Sequence, residues 1–220
     1  MNLMMAILIG SAVAGGCGTM AERQPADEIR GYRLGDQSLP EAPITLEELE
    51  TLKKSLLFTE DDVRALRRSR GVLGPHVEEL VGVWYGFVGA NPHLLAHFTD
   101  AGTGEPDGAY LARVRARFER WVMDTAAADF DQAWLDYQFK IARRHHAVGK
   151  NRTDGANASP QVEFRHLVAL TIPVTTTIRP FLERGGDDEA TVDAMQAAWT
   201  KAVLLQAILW SYPYVEAGSF

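Results

Sequence analysis

The sequence predicts an all-α domain of seven to eight helices, from three observations. Apolar residues recur at three- and four-residue intervals through one segment after another. Threonine-x-x-acid capping signals and clusters of Gly and Pro punctuate those segments at helix-like lengths. No alternating polar and apolar run marks a strand, and the β-branched triplet at 175–177 is short and flanked by helical periodicity.

Taken in order, Glu22 to Pro43 is polar and rich in Gly and Pro, which reads as an extended arm with no face to bury. Thr45 with Glu48 forms a capping box, and Leu46, Leu49, Leu52 and Leu56 supply the stripe of a first helix. Thr59 with Asp62 repeats the device for a helix through Val63 and Leu66 to about Arg70, which Gly71 to Pro75 interrupts or kinks. From His76, the positions Val77, Leu80, Val81, Trp84, Tyr85 and Val88 mark another helix, closed by Gly89 and Pro92. A helical turn over His93 to Phe98 leads into the loop Thr99 to Gly108. Leu111, Val114, Phe118, Trp121 and Val122 then define an amphipathic helix with arginines on its other faces.

A helix from Asp131 to Val148 follows, then a polar loop to Pro160. Val162 to Leu182 reads as one long helix kinked at Pro173 and ended by Gly185 and Gly186. Asp188 to Val215 is the last helix, apolar on nearly all sides between Ala197 and Trp210 and therefore central. These lengths and loops suit a globin-like helical sandwich at least as well as an up-down bundle, whose loops would be shorter and more uniform.

A length of 220 residues, 46% hydrophobic and 23% charged, fits one soluble globular domain. The organisation expected is an upstream extension or lipoprotein-like leader at 1–19, the arm at 20–44 and the domain at 45–220. A net charge of −7 argues against a nucleic-acid surface, which shows as a basic patch. Cys17 is the only cysteine, so neither an internal disulfide nor a thiolate metal cluster can form. Its surroundings resemble a bacterial lipoprotein signal, but the segment lacks the basic n-region of a secretory leader and is too short to span a bilayer. The expectation is therefore translation from Met20 and a cytoplasmic protein, the alternative being a membrane-anchored lipoprotein through Cys17.

Chemistry concentrates in WLDYQFKIARRHHAVGK, residues 134–150. Trp134, Gln138, Ile141, His145 and Val148 share one stripe, while Leu135, Phe139, Ala142 and His146 share another. Both stripes are apolar, so periodicity alone does not choose which imidazole faces inward. His93 and His97 stand at i, i+4 as in some zinc sites, but without the HExxH context and without four ligands. No CxxCH, glycine-rich phosphate loop or GxSxG is present. Trp84, Tyr85, Phe98 and Phe118 could converge on an interior space, although aromatics at helical spacing usually pack against one another.

Four separated segments carry a resemblance: VWYGFVGANPHLL, RVRARFERWVMDT, DQAWLDYQFKIARRHH and ILWSYPYVEAGSF. Together they resemble the protoglobins, single-domain relatives of the globin-coupled sensors, over about Ile29 to Phe220. The resemblance implies a globin fold with an extra N-terminal helix, here Thr45 to Leu57, and an arm that helps to bury haem. It implies His145 as the proximal ligand to the iron of haem b, Trp84, Tyr85 and Phe118 as the distal wall, and Phe98 bracing the haem plane. Leu170 and Val174 fall where the family lines its pocket, Leu170 at a place where relatives can carry an aromatic, so that the pocket here is expected to be roomier. Arg117 is expected to pair with a haem propionate. Tyr85 offers an O–H, and Trp84 an N–H, to a dioxygen ligand.

The function implied is reversible binding of dioxygen, carbon monoxide and nitric oxide, for sensing, storage or scavenging. The alternative is a haem enzyme acting on nitric oxide, peroxide or reactive nitrogen species in the same pocket. The sensor relatives carry a transmitter after the globin part, whereas this sequence stops at Phe220, so a signal is expected to pass to a separate partner. The resemblance also implies a homodimer through the last two long helices.

Overall fold

A computed structural model describes residues 29–220; Cys17, Met20 and the leader lie outside them. Among the described residues, the helices in order are α1 (Leu46–Ser55), α2 (Glu60–Leu73), α3 (Val77–Gly89), α4 (Pro92–Leu95), α5 (Gly108–Ala127), α6 (Gln132–His145), α7 (Phe164–Ala169), α8 (Thr171–Leu182) and α9 (Glu189–Trp210). Short 3-10 turns follow α2, α4, α8 and α9. The described residues contain no strand, only an isolated bridge between Thr99 and Pro106. None of the described helices is long and apolar enough to cross a membrane.

The capping signals act as the sequence suggests. Glu48 accepts the Thr45 N–H at 2.7 Å while Thr45 Oγ1 accepts the Glu48 N–H at 3.2 Å, which satisfies two amides that the helix cannot. Asp62 accepts the Thr59 N–H at 2.7 Å. Asp107, Asp131 and Asp188 cap α5, α6 and α9 by accepting the N–H of Tyr110, Trp134 and Thr191.

Four boundaries differ from expectation, one being the end of the last helix, expected at Val215: α9 stops at Trp210, and Pro213, which has no N–H to donate, sits in the 3-10 turn Tyr212–Tyr214. α2 runs through Gly71 to Leu73, and Pro75 sits in the 3-10 turn Gly74–His76, where its missing N–H costs nothing. The long helix expected over 162–182 is two helices meeting at Leu170. Pro173 lies in the first turn of α8, and its ring crowds the carbonyl four residues back, that of Ala169, where α7 ends. α6 stops at His145 because His146 is extended, with φ −97° and ψ 158°. Val148 is therefore off the α6 stripe, and 44% exposed.

The core has two parts. Leu66, Val81, Val122, Ile178, Met195 and Trp199 tie α2, α3, α5, α8 and α9 together, while Leu49, Trp134, Leu135, Phe139, Leu205 and Leu209 join α1, α6 and α9. α9 feeds both, so it is the central helix. Each fully buried Leu or Ile contributes about 1.5–3 kcal/mol. Trp199, also fully buried, donates its indole N–H to Ser69 Oγ at 2.9 Å. The described part of the arm is a series of turns, not an extended segment with no face to bury: Tyr32 donates to Asp124 at 2.8 Å, the Ala42 N–H donates to Asp136 at 2.8 Å, and Leu34 and Ile44 pack on the second core cluster.

Candidate functional site

Between the two core clusters α3, α5, α6, α8 and α9 leave a cavity of about 250 Å³. Each wall follows from helical spacing. Trp84, Tyr85 and Val88 are i, i+1 and i+4 on α3; Val114, Arg117, Phe118 and Trp121 are one face of α5; Ile141 and His145 are i, i+4 on α6. Leu170 lines it from the break between α7 and α8, and Val174 from α8. Trp84, Tyr85, Phe98, Arg117, Phe118, His145, Leu170 and Val174, far apart in sequence, thus line one space.

The aromatic residues form a continuous lining. Tyr85 meets Phe98 and Phe118 edge-on at 6.0 and 6.5 Å, Trp84 meets Phe118 at 5.9 Å, and Phe118 stacks on Trp121 at 5.1 Å. Burial pushes the Tyr85 phenol well above its ordinary pKa, so it stays a protonated donor. Its hydroxyl bonds to no described side chain or backbone group.

Geometry separates the two histidines. His145 lines the cavity, and its Nδ1 lies 3.1 Å from the carbonyl of Ile141. A carbonyl only accepts, so Nδ1 carries the proton and Nε2 keeps its lone pair. The ring stacks on Trp210 at 5.0 Å and 21°, and Trp210 donates its N–H to the buried Gln138 at 3.0 Å. Burial brings the imidazole pKa down to about 4, so it is neutral at physiological pH. His146, at the helix end, instead accepts the Val148 N–H at 3.3 Å and packs edge-on against Tyr214.

Arg117 lines the cavity, but its guanidinium is engaged. It donates to Asp154 Oδ1 and Oδ2 at 3.1 and 2.6 Å and to the Arg30 carbonyl at 2.7 Å. Arg113 shares the same carboxylate at 3.1 Å. Beside them stand two cations that sequence reading did not single out. Arg144 donates to the Gly31 carbonyl and, at 3.4 Å, to the Tyr137 hydroxyl, and its buried Nε has no partner among the described residues. Lys150 is 6% exposed and donates to the His97 carbonyl and Asn151 Oδ1, both at 3.0 Å; burial holds its amine down to about 8.

Trp210 was also missed. Its signal was the all-round apolar character of α9, which marked burial without marking a partner. His97 lines the cavity, its Nε2 lying 3.4 Å from Glu163 Oε2 without a well-formed hydrogen bond at either ring nitrogen, while His93 packs against His166 at 5.5 Å. Among the described residues no group of three or more His, Cys, Asp or Glu is placed to hold a metal ion, so the i, i+4 pair builds no such site.

The donor set suits a planar iron-bearing group. It comprises one neutral imidazole with a free Nε2, a wide aromatic lining and a cationic flank. The model of the protoglobin family matches residues 45–220. Among solved structures, the globin domain of a globin-coupled sensor from Geobacter sulfurreducens superposes with a TM-score of 0.59. It is 17% identical, over 79% of this chain and 99% of that one, which shows a shared globin fold. No curated protein matches the sequence.

Proposed function

Because the chain belongs to the protoglobin family, and is thus a globin-type haem protein, we propose that it holds haem b through His145 and reversibly binds dioxygen, carbon monoxide and nitric oxide. The observation that carries this reading is the His145 imidazole, neutral, stacked on Trp210 and presenting a lone pair at Nε2 in an aromatic-walled cavity. Haem bound there would be held by the His145 imidazole and would supply iron able to bind a diatomic gas.

The protein's own groups do the rest. The Ile141 carbonyl fixes the His145 tautomer, and Trp210, held by Gln138, limits rotation of the ring. Trp84, Phe98 and Phe118 keep water from the ligand side, which slows oxidation and restricts which ligands enter. Tyr85 places an O–H there, and Trp84 a second donor. The same reading includes pairing of two copies through α8 and α9, where Ile172 and Leu204 are exposed; sedimentation velocity of the loaded protein checks it.

The test of the haem site is an absorption spectrum after reconstitution. His145→Ala should lose haem or its five-coordinate ferrous spectrum, and His146→Ala should keep both. The reverse result, or a featureless Soret region in the unsubstituted protein, refutes the reading.

A further inference from the structure

One flank of the cavity is charged against the trend of the whole chain. The protein carries a net charge of −7, yet the lining holds three cations, Arg117, Arg144 and Lys150, and a single carboxylate, Asp154. That carboxylate is already committed to Arg117 through both oxygens and to Arg113. Arg144 and Lys150 form no ion pair with a described carboxylate; their contacts are carbonyls, a phenol and an amide. Arg117 and Arg144 are neighbours, since a Cβ placed at Gly31 would lie 3.4 Å from Arg117 Nη1 and 3.5 Å from Arg144 Nη2, and Lys150 lines the same cavity. Lys150 Nζ lies 5.4 Å from the centre of the Tyr110 ring, on the same α5 face as Arg117.

Buried cations without a counter-charge are costly, and a buried N–H without an acceptor, such as Arg144 Nε, costs more. The surplus on the lining is two positive charges, which matches two carboxylates. We infer that Arg144 and Lys150 take the two peripheral carboxylates of the tetrapyrrole, while Arg117 serves to anchor Asp154 and the 149–154 loop. The inference rests on the haem reading above and names the residues that orient the group within it. It moves the expected propionate contact from Arg117, whose charge is matched by both oxygens of Asp154, to two side chains on the histidine helix and the loop that follows it. Those residues bracket His145 in sequence, so one chain segment would set both the iron ligand and the in-plane rotation of the ring.

The experiment measures release of pigment from the loaded full-length protein into an excess of a haem-scavenging apoglobin. Haem and its dimethyl ester are compared; the iron and its imidazole ligand are common to both, so only the carboxylates differ. Haem should leave Lys150→Met and Arg144→Gln about 10- to 100-fold faster than it leaves the unsubstituted protein, the range expected for a charged hydrogen bond. The diester should leave the unsubstituted protein comparably fast, with Lys150→Met adding no further acceleration. Equal, slow release of haem and diester from the unsubstituted protein overturns the inference alone, and needs no variant that might misfold. A protein that takes up no haem at all overturns the haem reading, and this inference with it.

Discussion

Tyr85→Phe removes one oxygen atom from the cavity wall and leaves the ring's packing in place. The phenyl ring repeats the edge contacts with Phe98 at 6.0 Å and Phe118 at 6.5 Å. Because the hydroxyl bonds to no described group, its loss strands no partner, and the unfolding free energy should change by less than about 0.5 kcal/mol. Ligand release should respond quite differently. A dioxygen ligand carries partial negative charge and accepts from a buried hydroxyl with about 0.5–3 kcal/mol, whereas carbon monoxide accepts far less. Tyr85→Phe should therefore speed dioxygen release by about 2- to 100-fold, if that energy appears in the off-rate, and change carbon monoxide release much less. Stopped-flow oxygen release and flash photolysis read the two rates. An unchanged dioxygen off-rate would leave Tyr85 as packing alone, and equal acceleration of both gases would point to a steric change. Trp84→Phe in the same background shows whether the indole N–H takes over the bond.

Other perturbations separate support from site. Gln138→Leu leaves the Trp210 N–H without its 3.0 Å acceptor in a buried setting, so stability should fall by about 1–3 kcal/mol, seen as a lower urea midpoint at unchanged slope. Gly31 has φ +81°, and a Cβ there would collide with the Thr153 side chain. Gly31→Ala should open the arm by about 1–3 kcal/mol, hence about 5- to 100-fold faster tryptic cleavage at Arg30 and Arg33; unaltered protection would contradict this. For His145, burial lowers the folded pKa from 6.5 to about 4. The unfolded chain thus binds the proton first, and the haem-free protein loses stability as pH falls from about 6.5 to about 4, by about 3 kcal/mol. His145→Leu should flatten that window in pH-dependent urea unfolding, and an unchanged pH profile counts against a buried neutral imidazole.

What was legible in the sequence is what local physics decides. Thr45 with Glu48, and Asp131 before Trp134, announce helix starts because the cap and its amide lie three residues apart. The apolar periodicity of α3, α5 and α6 put Trp84, Phe118 and Ile141 on apolar faces for the same reason. The split at Leu170 was missed because Pro173 acts on a carbonyl four residues earlier, and the run of apolar residues across it hides the break. His145 could not be chosen over His146 by periodicity, since both stripes are buried; the choice lies in where α6 stops, which the extended backbone at His146 decides.

The polar flank was illegible for a different reason. Arg144 reaches the Gly31 carbonyl across 113 positions of sequence and Arg117 reaches that of Arg30 across 87, so no local pattern announces either contact. Asp154 is the pivot. It is 8% exposed and holds Arg113 and Arg117 of α5 to the loop after α6, while Arg30 of the arm donates to the carbonyl of neighbouring Thr153 at 3.2 Å. Four chain segments therefore meet through charge and backbone carbonyls, beside a core whose apolar contacts lie elsewhere, around Trp199 and Leu205. Substitutions in Lys150 or Arg144 should accordingly alter how a planar anion is held far more than whether the helices pack. Removing Asp154 would do both, because it would leave two part-buried guanidiniums without their shared counter-charge.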